Sequence, residues 1–206
     1  MFPIQGPSTM YRKIMPLALL ATLTGCSDSS DSPEAGFRKA AQAYLDTQYP
    51  HCFVTSSFPT KTRDFDLHGT NKALHALAKV GVVSEKEISR TEVPARLWQP
   101  ARTDIYYAYA LTDEGRKYYK ADHGLCFGKA QVTAIEQFSA PSEATGQKTS
   151  NVTYAYTITG LPAWAGDEQV KASIAELGKA VASHATPLKD TRAMVLTHQG
   201  WQLRDR

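Results

Sequence analysis

The chain lacks most of the patterns from which an activity is usually read. No Gly-x-Ser-x-Gly elbow, phosphate-binding loop or Rossmann glycine set occurs in it. The histidines at 68, 75, 184 and 198 show no His-Glu-x-x-His or related spacing, so each reads as a surface or half-buried side chain. A charge excess of one sign is missing too. Lys and Arg total 23 against 20 Asp and Glu, a formal +3. Removing Arg12 and Lys13 with a leader leaves +3 − 2 = +1, too near neutral to imply nucleic acid or an anionic surface as partner. Cysteine is scarce, at 26, 52 and 126 only. Long apolar runs are absent as well. The stretch Ile14 to Leu23 is broken by Pro16 and Thr22, whereas a bilayer-spanning helix needs roughly 20 apolar residues. No cofactor is implied by any of these features.

What is present begins at the N-terminus. Met10 is a plausible start, because Tyr11-Arg12-Lys13 then forms a short positive region ahead of the apolar run, the order of an export signal. The run ends in Leu23-Thr24-Gly25-Cys26. This resembles the lipobox of bacterial lipoproteins: a branched aliphatic residue, a small polar one, glycine, then the cysteine whose thiol receives diacylglycerol. The resemblance covers only the first 26 residues. It implies a signal peptide over 1–25, lipidation of Cys26 with palmitate-labelled lipid, and a periplasmic, membrane-tethered protein. In the sorting rule of such lipoproteins an Asp after the cysteine retains the protein in the inner membrane, so Ser27 implies the outer membrane, periplasmic face.

Residues 26–33 are polar and form a flexible tether. A periplasmic domain is expected over 34–206, divided into a helical half at 34–122 and a β-rich half at 123–206. Ser32-Pro33 suits an N-cap and first helical position, and Phe37, Ala40, Ala41, Tyr44 and Leu45 share one helical face until Pro50. His51 to Thr55 is a short strand candidate. Asn71 to Val80 is a helix closed by Gly81, followed by Val82-Val83 and a polar segment from Ser84 to Thr103. Asp104 to Leu111 has strand content, and Thr112 can cap a helix starting Asp113-Glu114. Strands are expected over Ala130 to Phe138 and Val152 to Thr159, joined by a polar loop from Ser139 to Ser150. A helix at Val170 to His184 and a closing hairpin at Arg192 to Leu203 complete the order.

Leu74, Leu77, Gly81, Val82 and Val83, then Leu111-Thr112, Glu114-Gly115-Arg116 and Tyr119, resemble the winged-helix module of regulators of the PadR and MarR type. The resemblance spans 71–119, about a quarter of the chain. Carried to its usual function, it would turn Asn71, Lys72, His75 and Lys79 to a DNA groove, with Arg96 and Arg102 on phosphate. Export and the near-neutral charge oppose that, so no nucleic acid is expected. The region from Cys126 on also looks like the curved sheets of cystatin-like and NTF2-like envelope domains, by pattern alone.

Cys52 and Cys126 are the strongest chemical constellation. In an oxidising compartment two such cysteines pair, and the bond would join the two halves. The alternative uses His51-Cys52 and His123-x-x-Cys126 as a zinc set, although adjacent ligands suit one tetrahedral site poorly. The tyrosines at 106, 107, 109, 118 and 119 could line a partner surface, but core or half-buried strand positions suit them better. The reading is an α+β fold: a helical, winged-helix-like half, then an antiparallel sheet with a covering helix. No catalytic residue is assigned. The function expected is that of a non-catalytic lipid-anchored protein binding another envelope protein. The alternative is an envelope hydrolase or a lipoprotein inhibitor of a cell-wall hydrolase.

Overall fold

The computed structural model describes residues 32–64, 69–144 and 146–204. The segment expected to be leader and tether, with Cys26 in it, ends at residue 31 and lies outside the described residues, as does His68.

Ser32 begins α1 (Pro33–Gln48) as its hydroxyl accepts the Ala35 N–H at 3.2 Å, with Pro33 at the first helical position. Phe37, Ala40, Ala41 and Leu45 make its buried stripe. The helix stops before a cis Tyr49–Pro50 bond and leads into β1 (His51–Val54). β2 (Thr60–Arg63) and α2 (Thr70–Lys79) follow, and α2 ends against Gly81, whose φ of 76° is the left-handed conformation such an end requires.

β3 (Val83–Val93) and β4 (Arg102–Leu111) form a long antiparallel hairpin, after which Thr112 caps the single turn α3 (Asp113–Arg116) through the Gly115 N–H. Gly115 cannot carry a side chain, because a Cβ there would lie 2.1 Å from the Val82 carbonyl oxygen. Next come β5 (Tyr119–Lys120), β6 (Gly124–Phe127), β7 (Lys129–Phe138), β8 (Ser142–Ala144) and β9 (Gln147–Thr159). A 3-10 turn at Ala163–Gly166, α4 (Glu168–Ser173), α5 (Ala175–Ala182), β10 (Leu188–Thr197) and β11 (Gly200–Leu203) end the described chain.

These strands make three antiparallel sheets, ordered β1-β6-β5, β2-β4-β3 and β11-β10-β9-β7, with β8 beside β9. The last is a meander, and α1 lies across it. The Phe37 ring sits 4.6 Å from Trp201 and 5.1 Å from Phe138, between the two ends of the sheet. The core runs from there through Tyr154 and Ile158 to Leu125 and on to Leu74 and Leu77 of α2.

The fold is therefore α+β with antiparallel sheets, as expected, but its parts are distributed differently. The helical half expected over 34–122 also holds five strands, and α1 leaves that half to cover the C-terminal sheet. The helix expected over Val170 to His184 is two helices: the chain turns at Ile174 (φ −129°, ψ 88°), and Val170, Ile174 and Leu177 all stay buried across the corner. The loop from Ser139 to Ser150 contains β8 paired with the start of β9. The polar segment from Ser84 to Thr103 is largely strand. Its side chains face water on both sides, so no apolar alternation marks it. A helix followed by a hairpin does occur at 70–111, yet α2 is the one helix described between β2 and that hairpin, and it packs on α4.

Candidate functional site

The hairpin is built to project. Its β3 arm of 11 residues spans roughly 35 Å, and its packing partners α2, α3 and β2 lie at its base. At that base the buried Tyr109 hydroxyl lies 2.7 Å from Glu85 Oε2 and 2.9 Å from Asn71 Oδ1, with one proton to give. Thr62 donates to Asn71 Oδ1 at 2.5 Å, and His75 Nδ1 meets Glu85 Oε2 at 2.8 Å. Burial, then the hydrogen bond to Glu85, raises the Tyr109 pKa, so it stays a neutral donor. α2, β2, β3 and β4 are thus fastened by one polar network. Register shifts between Glu87 and Ser89, leaving Ile88 as a bulge that bends the arm and tightens its twist.

The far end carries Arg96 in the turn itself, and beside it exposed apolar surface. Arg96 and Gln99 exchange two backbone hydrogen bonds of 2.9 Å, so Leu97 and Trp98 are the two central residues of a tight turn. Pro94 and Pro100 flank it, fixing φ and holding Val93 and Gln99 extended. Leu97 is 84% and Trp98 92% exposed. Trp98 has φ 69°, a left-handed conformation costing an L-residue about 1–2 kcal/mol. A glycine or asparagine would relieve that cost and bury less. Among the described residues the two most exposed large apolar side chains thus sit together, on a strained turn at the end of a braced arm.

The residues singled out from sequence fall elsewhere. Cys52 and Cys126 stand directly opposite in β1 and β6 and form a disulfide, with S–S 2.09 Å and Cα–Cα 3.9 Å. His51 stacks its ring near Phe53 and Tyr49 at 5.0 and 6.0 Å, and His123 is exposed. Among the described residues no three His, Cys, Asp or Glu side chains converge as a metal site, and both sulfurs of the alternative zinc set are used in the bond. Of the tyrosines, Tyr109 is buried, Tyr107, Tyr118 and Tyr119 are half-buried, and Tyr106 is exposed on the hairpin. Three of the four α2 residues of the DNA-groove reading are engaged within the chain, and Lys72 is exposed. Asn71 and His75 join the network above, and Lys79 Nζ donates to Gln169 Oε1 at 3.0 Å.

The His75–Glu85 pair joins α2 to β3 and braces the hairpin at its base. The larger cavities are open grooves. One of about 740 Å³ runs between α1 and β11 and is mostly apolar. Sequence reading missed Leu97 and Trp98. The available signal was an apolar pair between two prolines in an otherwise polar stretch, where no core is near enough to need it.

The chain matches no known family model, no curated protein and no solved structure.

Proposed function

We propose that this is an exported lipoprotein, anchored through Cys26 to the periplasmic face of the outer membrane, that docks another envelope protein through the Leu97–Trp98 tip. The observation that carries the docking is the exposed apolar pair held in a costly backbone conformation at the end of a braced hairpin. A residue type that raises the energy of the free protein is explained by what it does when covered. Burying Leu97 and Trp98 against a partner would contribute about 1.5–3 kcal/mol each, and tryptophan is the commonest anchor of such contacts. The anchor rests on Leu23-Thr24-Gly25-Cys26 behind a short apolar run. Five residues lie between Cys26 and Ser32, which keeps the domain within about 20 Å of the lipid. Engagement of the polar α2 side chains and the near-neutral charge support a protein partner over a nucleic acid.

The test has two arms in cells. Cys26→Ala removes palmitate labelling and membrane association. Leu97→Ser with Trp98→Ser leaves labelling and thermal stability unchanged and removes a formaldehyde-linked complex. Labelling retained without Cys26 rejects the anchor. A complex that survives the double substitution rejects the tip.

A further inference from the structure

The meander has two edges, and the molecule treats them differently. At the start of β7 the outward backbone groups of Ala130 and Val132 are already taken. Gln42 of α1 donates from Nε2 to the Ala130 carbonyl at 2.9 Å and accepts the Val132 N–H on Oε1 at 2.9 Å, while Arg38 donates to the Val132 carbonyl at 3.3 Å. The glutamine amide stands where a neighbouring strand's peptide would stand. At β11, among the described residues, no strand pairs the outer side. Arg204 N–H bonds to the Ala193 carbonyl at 2.9 Å, and the register pairs Gly200 with Thr197. Antiparallel alternation then turns the N–H and C=O of Trp201 and Leu203 away from β10, toward solvent.

The same edge borders the groove of about 740 Å³ against α1. Trp201 and Leu203 supply its sheet side, Ala40 and Ala43 its helix side, and Lys39 is the one charged residue lining it. We infer that this edge accepts an extended segment of a partner polypeptide as a further strand beside β11, apolar at alternate positions and acidic near Lys39. The backbone groups of Trp201 and Leu203 ask for a strand, since only an extended main chain offers a donor and an acceptor at that repeat. The apolar floor asks for alternate apolar side chains. Lys39 decides between occupants: a second copy pairing β11 with β11 about a two-fold axis would bring its own Lys39 to the same groove, placing like charges together. An acidic segment meets no such repulsion. This strand site stands apart from the hairpin tip and does not depend on it.

The probe is a synthetic nonapeptide with valine at alternate positions and glutamate at both ends, added to the full chain. Amide hydrogen exchange is followed residue by residue. The expected result is protection of the Trp201 and Leu203 amides by about tenfold or more. Ala43 is exposed on α1, so Ala43→Gln fills the groove with a neutral side chain without disturbing the core and weakens binding by about tenfold or more. A peptide with lysine at both ends binds more weakly than the glutamate peptide. Three results overturn the inference: no protection at those two amides, equal binding by Ala43→Gln, or amides already protected in a chain that sediments as a dimer. The last would seat a second copy on the edge.

Discussion

The side-chain amide of Gln42 meets the backbone N–H of Val132 at 2.9 Å, 90 residues away, and closes the edge of β7 as a strand would. One α1 side chain thereby fixes the helix on the sheet and blocks edge pairing. Gln42→Ala leaves a donor and an acceptor for water to satisfy and is expected to cost about 1–2 kcal/mol, read as a shift in urea midpoint at unchanged slope. Gln42→Glu keeps the acceptor for Val132 but loses the donor to Ala130, and is expected to cost at least as much. A neutral outcome for both would mean that packing of Phe37 and Leu45 alone sets the position of α1.

The disulfide gives a second expectation. Cys52 and Cys126 are 74 residues apart, and closing a loop of that length restrains the unfolded chain by about 4 kcal/mol in the chain-entropy account. Cys52→Ser with Cys126→Ser is expected to lower stability by about that amount while leaving the fold intact, because Leu125 and Phe127 still bury their side chains beside the missing bond. The check is guanidinium unfolding of the double variant, with a thiol count on the denatured parent purified without reductant. Two titratable thiols beside Cys26 in the parent would contradict the pairing.

Stability should also fall at high pH. Burial first, and then Tyr156, pushes the Tyr49 phenol up to about 12, and burial followed by Asp190 raises Tyr154 as well. Tyr109 is raised by burial and then by Glu85. Each holds its proton more tightly folded than unfolded, so its contribution is complete below about pH 10 and is lost as pH rises through the folded value. The melting temperature is expected to be flat from pH 7 to near 9.5 with respect to these groups and to drop steeply toward pH 12. Phenolate absorbance should then appear in part only with unfolding. Full ionisation of all tyrosines near pH 10 in the folded protein would contradict the buried network at the hairpin base.

Much of this architecture is legible in the sequence where burial imposes a period. The Ser32-Pro33 cap, the α1 stripe, Gly81 after α2, the Thr112 cap and the alternation of β9 all appear where their residues require. The cysteines sit opposite each other because β1 and β6 pair, and the disulfide is expected from the reading of export and not from their spacing. Three features were not legible. β3 is wetted on both faces, so Glu, Lys and Arg fill it and no pattern betrays a strand. The corner at Ile174 keeps the apolar spacing of one continuous helix while turning the chain. The pairing of Gln42 with β7 joins residues far apart in sequence through a side chain that reads as a surface glutamine. The tip escaped for a related reason: core patterning finds residues that need neighbours, and Leu97 and Trp98 are left exposed by the described residues, so no period is imposed on them.

Docking through Leu97 and Trp98 is tested most directly by site-specific photocrosslinking in living cells. A photoreactive residue replaces Leu97 in one strain and the exposed Lys148 in another. The prediction is a discrete protein adduct from position 97 that is absent from position 148 and lost when Trp98→Ser is added. No adduct from position 97, the same adducts from both positions, or an adduct to phospholipid alone would contradict it.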